Sequence, residues 1–478
     1  VVLFLVILFS IIYKVNNTTN ITTADDMAIR DVVALISYNE VSQQENTYRK
    51  RINSLYGSAS LGWKHLLYVD ATVRGDQSST LPVNNNEYVY PSISGSFVFS
   101  ELIKNKTFMP YGKLRMSWAQ VGSDTDPYQL NLNYTKSKFT YPGYTIGYIN
   151  NATIPNKDLK PTRTNSFEFG YEGKFFNNRI GLDMTYYSQK SKNQIMNMAS
   201  SWASGYTYRL INAGEIDNKG IEITLNTRPI QTKDFSWDMN FNFSKNQNKV
   251  ISLPNNMDMF ELEKAPWLGV EVAAKVGENF GSIIGPDFKR NPKGQILIDP
   301  SSGLPEYDYS NHVLGNASWK WTGGFTTTLT YKSVSLSAIF DVKVGADLYS
   351  MSARSSYECG KAKATLDGRD AWYKSEEERE EAGVPKGQAN WKATGGFVAP
   401  GVIDNGNGSY SPNNIYVNPE DYWYSVCRNA PSMFIYDNSY VKCRELTLSW
   451  QLPHNWFKKY INNMSLSFVA RNPFIVYK

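Results

Sequence analysis

The sequence is poor in the residues that carry most metal and catalytic chemistry: among 478 residues there are three His and three Cys. His65, His312 and His454, like Cys359, Cys427 and Cys443, are scattered without the short spacings of a zinc site or a disulfide framework. Free structural thiols are therefore expected, with no metal site and no cofactor. No GxSxG elbow, Walker loop, HExxH helix or dinucleotide fingerprint stands in a suitable context. The paired carboxylates Asp25 with Asp26 and Asp124 with Asp126 lie in hydrophilic stretches, where such groups are ordinarily solvated. No catalytic residue is expected, and the chain reads as a non-enzyme. A net charge of +5, from 49 basic and 44 acidic residues without a long basic run, gives nucleic acid nothing to bind. The apolar run from Val1 to Tyr13 is broken only by Ser10 and falls short of the roughly 20 residues a membrane helix needs. It has neither the basic flank nor the small-residue cleavage site of a signal peptide. It also lacks alternation, so it fits no barrel strand and is not expected to anchor the chain.

What is abundant is rings. Aromatic residues make up 14% of the chain, with 32 Tyr and 12 Trp, while only 19% is charged and mean hydropathy is −0.42. A membrane barrel produces this pairing, because each strand turns one row of side chains to lipid and the other to a wet lumen, with aromatic girdles at both interfaces. A large soluble β-protein rich in Tyr would share the composition.

Past Asn53 the dominant period is two. Leu67, Val69, Ala71 and Val73 share one face while Tyr68, Asp70, Thr72 and Arg74 share the other. Phe167, Phe169, Tyr171 and Phe175 alternate with Glu168, Glu172 and Lys174, and Trp237, Met239, Phe241 and Phe243 alternate with Asp238, Asn240, Asn242 and Ser244. Twelve strands are predicted, at 55–63, 66–74, 89–99, 111–121, 164–176, 179–190, 217–227, 235–245, 320–332, 334–344, 439–452 and 463–472. Several approach the roughly 9 to 11 residues that a tilted membrane strand requires. Their connectors alternate between short turns and long excursions at 75–88, 122–163, 191–216, 246–319 and 345–438. That asymmetry marks a bacterial outer-membrane barrel, with short turns on the periplasmic side and long loops outside. By parity, 246–319 must hold no strand or an even number, and the segment from Phe280 suggests a hidden hairpin. Trp372 to Val384 reads as a solvated loop helix, with charges spaced for contacts one turn apart.

With no catalytic constellation, function is expected to lie in surface and shape. The long loops carry Trp202, Tyr206 and Tyr208, then Trp267, then Trp372, Tyr373 and Trp391, then Tyr422 and Trp423. Rings on loops can stack on sugar faces or anchor a protein partner, since they bury much area with few rotors to freeze. They can equally pack the loops into a rigid rim, and both readings stay open.

Several stretches resemble the SusC/RagA family of TonB-linked outer-membrane proteins. They include LLYVDATVRGDQSS followed by YPSISGSFVFSE, then KLRMSWAQVGSD, PNKDLKPTRTNSFEFGYEGKFFNNRIGLDMTYYSQKSKNQI and INAGEIDNKGIEITLNTRPI. VGENFGSIIG, LGNASWKWTGGFTTTLTYKSVSLSAIFDVKVGADLYS, YVKCRELTLSWQLP and FVARNPFIVYK continue the match in family order, from about Ser54 to Lys478. The resemblance implies an all-β fold, part of a large, roughly 22-stranded antiparallel transmembrane β-barrel whose lumen is plugged. It further implies TonB-dependent import of glycans or oligopeptides across the outer membrane beneath a SusD-like lipoprotein lid. The implied partners are that lipoprotein, the TonB complex through an N-terminal region not in this sequence, an oligosaccharide or peptide ligand, and outer-membrane lipid. On that pattern 54–478 is the C-terminal part of the receptor barrel, with plug and final strand missing. The stretch 1–53 is unassigned and suggests a partly aberrant segment. The rival readings are a soluble carbohydrate-binding β-protein, whose strands would hide their apolar faces in a core, and a passive porin, which would lack the plug.

Overall fold

The computed structural model describes residues 2–27, 38–132, 134–141, 144–149, 153–200, 202–265, 269–388, 391–453, 456 and 463–478. Two compact units emerge: Val1–Ile221 with Ile251–Asn256, and Glu222–Val250 with Met257–Lys478.

In the first unit the strands are β1 (Val2–Met27), β2 (Tyr38–Trp63), β3 (Leu67–Ser78), β4 (Glu87–Phe97), β5 (Tyr111–Ser123), β6 (Thr162–Phe175), β7 (Ile180–Ala199) and the first part of β8 (Tyr208–Gln231), neighbours in that order. Pairing is antiparallel from β1 through β7. Leu61, Val69, Gly95, Met116, Phe169 and Tyr186 form one rung across six strands, and its five side chains are all exposed. The neighbouring rung on the opposite face, Ser60, Asp70, Ser94, Ser117 and Glu168, is polar. There Ser60 donates to Asp70 at 2.5 Å, and Arg115 grips Asp183 at 2.9 and 2.6 Å with both terminal nitrogens. Gly170 is required where it stands, since a methyl group there would collide with the Arg115 side chain. An apolar face left exposed beside a hydrogen-bonded polar face is the division of a membrane strand between lipid and lumen. The short turns close tightly because Lys64 and His65, and Asn177 and Asn178, all adopt positive φ, the type I′ geometry that follows the twist of a hairpin.

The second unit repeats the scheme with β9 (Phe235–Ser252), β14 (Trp321–Tyr331), β15 (Val334–Val344), β16 (Tyr440–Gln451) and β17 (Ser465–Tyr477), the labels between falling to the excursion described next. Trp237, Leu329, Leu336, Leu448 and Phe468 form an apolar rung, and all but Trp237 are exposed. Phe241 and Phe325 stack at 4.5 Å, two turns of the pleat away on the same face. The other face carries the Thr328–Ser337 hydrogen bond at 3.1 Å and Arg444 on Asp341 at 2.6 Å.

Each of the twelve predicted ranges falls on a strand, but the structure departs from the sequence reading in several places. The apolar start is strand after all: Val2 to Ala24 pairs continuously with Gly62 to Glu40 of β2. Its register comes from that partner, which is why a run without alternation concealed it. Strands β7, β8 and β9 also extend well past their predicted ends on the long-loop side, where polar and apolar residues mix on both faces and period two fades. Finally, 246–319 contains four strands, an even number as parity demands: β10 (Met259–Lys264), β11 (Glu271–Lys275), β12 (Ser282–Phe288) and β13 (Tyr307–Asn316). They form a sheet of their own rather than a hairpin within the main one.

Candidate functional site

The second unit carries two long excursions on the same end of its strands, and they fold as one body. Besides the sheet β10–β13, this body contains helices α1 (Met351–Glu358), α2 (Arg369–Glu381) and α3 (Pro419–Asn429). Its core joins Phe288 and Ile298 from the first excursion to Ala399, Val417, Tyr422, Trp423, Val426 and Ala430 from the second. Backbone bonds link them, Ile298 N to Val402 O and Val402 N to Ile296 O, both at 2.9 Å. Tyr307 and Ser425 hydroxyls meet at 2.8 Å, and Ser432 donates to Asp287 at 2.5 Å.

Helix α3 is well specified locally. Asn418 caps it by accepting from Glu420 N at 3.0 Å. Pro419 opens it, Glu420 and Asp421 lie in its first turn, and Arg428 lies in its last, each placed as helix geometry and dipole favour. Pro419, Tyr422, Trp423, Val426 and Cys427 form its buried face, at helical spacing. Tyr422 and Trp423, expected as exposed loop rings, are thus core residues at 3% and 7% exposure. The signal was the 3.6-residue stripe, overlooked in a segment read as loop. Burial pushes the Tyr422 phenol and the Cys427 thiol up to about 12, so neither ionises near neutrality.

Helix α2 occupies most of the range expected for it, yet it is docked rather than free. Ser375 is buried and its hydroxyl accepts from Thr394 N at 3.0 Å. Arg379, also buried, donates to the Val384 carbonyl and pairs with Glu376 at 3.1 Å. Arg369 holds the preceding turn by donating to Thr365 O at 3.1 Å. Gly368, at φ 72°, lies against the Gly396 backbone, where any side chain would clash.

Between α1, α2 and the start of α3 lies a cavity of about 640 Å³. Tyr357, Trp372, Tyr373 and Trp423 supply rings, Glu358, Glu376 and Glu420 carboxylates, Arg369 and Lys386 cations, and Asn418 an amide. Glu358 is fixed by Arg354 at 2.7 Å and by Arg428 at 3.7 Å. The lining has no His and no nucleophile paired with a base, and among the described residues no cluster could hold a metal ion. Stacking surfaces with fixed hydrogen-bonding groups are suited to holding a ligand.

Three of the nine ring residues singled out from sequence, Trp372, Tyr373 and Trp423, thus converge on one cavity, with Tyr422 packed behind them. Tyr373 is the exposed one at 62%. Trp391 is half-buried, its indole nitrogen enclosed without an acceptor among the described residues. Tyr206 and Tyr208 belong to the first unit, Tyr208 exposed and Tyr206 half-buried. Trp202 opens a short 3-10 turn, Trp202–Ser204, but its side chain lies outside the described residues, as does all of Trp267. Sequence reasoning missed Tyr357, Arg369 and Glu358, which no motif marks.

Comparison with known proteins fits this architecture. Residues 12–472 match the family described as TonB dependent receptor-like, beta-barrel, a match that begins inside the stretch left unassigned from sequence. TonB-dependent receptor P3 of Formosa agariphila is 24% identical over 452 residues, covering 88% of this chain and 40% of that protein. TonB-dependent receptor SusC of Bacteroides thetaiotaomicron is 24% identical over 221 residues, covering 44% of this chain and 22% of that one. The structure of the RagAB peptide transporter superposes with a TM-score of 0.76 at 19% identity, over 99% of this chain and 50% of that one. The chain therefore spans half or less of the length of these relatives. Its paired strands, its lipid-type face and the extent of the match place it, as an outer-membrane protein and not an enzyme, in the TonB-dependent receptor-like β-barrel family.

Proposed function

We propose that the receptor containing this chain imports an oligomeric nutrient, a glycan or an oligopeptide, across the outer membrane, energised through TonB and covered by a SusD-like lipoprotein. The observation that carries this reading is the body built from the two excursions. Loops of such length are usually functional or disordered, and these are ordered around a common core and enclose a cavity lined by rings and carboxylates. A passive pore has no use for so much folded mass outside the membrane. Trp372 and Tyr373 offer stacking faces to sugar rings or peptide side chains, while Glu376, Glu420 and Asn418 supply acceptors and donors. Support also comes from the RagAB peptide transporter, whose fold this chain shares.

The test uses the full-length receptor, with 370–430 deleted or with Trp372→Ala and Tyr373→Ala combined. Lipoprotein co-purification and growth on candidate glycans or peptides are measured beside barrel folding. Loss of uptake with the barrel intact is expected. Unchanged lipoprotein binding and uptake in both variants would remove this body from the mechanism, and uptake persisting without TonB would refute energised import.

A further inference from the structure

The lipid-type face of β1 and β2 changes character along its length. On β1, Leu3, Leu5, Ile7, Phe9 and Ile11 face the same way, Leu3 standing opposite Leu61, and each is more than half exposed. Next on that face come Tyr13 opposite Arg51 and Val15 opposite Arg49. The apolar column ends at a polar rung, in which Asn53 donates to Gln77 at 3.2 Å and Gln77 to Glu87 at 3.0 Å.

The heights follow from strand geometry. At about 3.3 Å per residue and a tilt of about 40°, Leu3 to Ile11 rises about 20 Å, close to the roughly 25 Å apolar band of an outer-membrane barrel. Tyr13 then falls at the interface, and the two arginines fall within about 10 Å beyond it, at headgroup level. They lie midway along β2, beyond the apolar column on the side remote from the short turn at Lys64 and His65, which is the outer-leaflet side. Both arginines are exposed. Among the described residues neither forms an ion pair, and the Arg51 guanidinium only donates through Nε to Asn53 at 2.9 Å. Two like charges spaced two residues apart on one face repel unless an anion lies between them. Guanidinium forks match the several oxygens of a phosphate group.

We propose that Arg49 and Arg51 bind the phosphorylated headgroup of an outer-leaflet lipid whose acyl chains run down the Leu3–Ile11 column. The continuity of apolar column, interfacial ring and cations that form no ion pair among the described residues favours a lipid over a free anion, which would need no apolar track below it.

The experiment titrates phosphorylated lipid A into the detergent-solubilised full-length receptor, with dephosphorylated lipid A and inorganic phosphate as separate arms. Taking the usual contribution of a cation at an anionic lipid surface, R49Q/R51Q is expected to bind phosphorylated lipid A about thirtyfold more weakly. Dephosphorylated lipid should show the same loss on the unaltered receptor. K64Q/R179Q, which removes two exposed cations from the short turns, should bind as the unaltered protein does. Heat-modifiable mobility monitors folding. If R49Q/R51Q does not fold, R49K/R51K carries the test, keeping charge while losing the fork, and is expected to bind severalfold more weakly. Unchanged affinity in the folded variant, an equal loss in K64Q/R179Q, or full displacement of the lipid by inorganic phosphate at equal concentration would each overturn the proposal.

Discussion

Arginine introduced at successive depths along β16 tests whether its apolar face is a lipid face. Leu448 stands opposite Leu336 and Phe468, and Leu446 opposite Ala338 and Ala470, both on the apolar side. Thr447 lies between them on the polar side, where its hydroxyl donates to Glu445 at 2.9 Å. Trp450, edge-on to Trp456 with ring centroids 5.8 Å apart, marks the interface at the short-turn end. With about 3.3 Å per residue and a tilt of about 40°, Leu448 sits about 5 Å and Leu446 about 10 Å inside that ring, against a half-band of about 12 Å. Arginine costs about 2–4 kcal/mol at the midplane and about 0–1 kcal/mol at the interface. Leu446→Arg should therefore destabilise by about 2–3 kcal/mol and Leu448→Arg by about 1–2 kcal/mol. Thr447→Arg places its charge in the wet face beside Glu445 and should cost less than about 1 kcal/mol. The assay is reversible urea unfolding of the full-length receptor in lipid vesicles. A Thr447→Arg loss equal to that of Leu446→Arg would refute the facing, and a Leu448→Arg loss exceeding that of Leu446→Arg would refute the depth assignment.

Trp423→Ala should remove about 3–5 kcal/mol from the extramembrane body, read as lost hydrogen-exchange protection across 397–430 with the strands unaffected; retained protection there would contradict a core role. In the same body, burial first and a hydrogen bond with Glu261 second raise the carboxyl of Glu271 above its ordinary 4.5. Its contribution to stability is therefore fully present below about pH 4.5 and lost as pH rises through the raised value. Glu271→Gln should abolish that decline, and a pH profile identical to the parent's would exclude Glu271 as its source. Of the described thiols, Cys359 is exposed while Cys427 and Cys443 are buried. A maleimide should thus label Cys359 alone in the folded protein, and rapid labelling of Cys427 would show that α3 opens.

What could be read from sequence, and what could not, follows from where each signal resides. Period two is written into a strand whenever its faces meet different solvents, so Leu67 to Arg74 and Phe167 to Lys174 announced themselves without any partner. Where the two faces carry similar side chains the period vanishes, as in the mixed upper part of β7 and in the wholly apolar start of β1. Those segments become strands through the register of a neighbour, a long-range fact absent from any local window. The ring residues divide the same way. Tyr422 and Trp423 belong to a stripe with Pro419, Val426 and Cys427, which a helical-period count would have found. No local count, however, could join Phe288 and Ile298 to that stripe across more than a hundred residues of chain. The cavity exists only once that union has formed, because α3 must seat its Trp423 against Tyr357, with ring centroids 4.7 Å apart, before Trp372 and Tyr373 have a wall to face. Three of the cavity's rings were therefore visible in the sequence as loop rings, while its other lining residues and its location were properties of the packing.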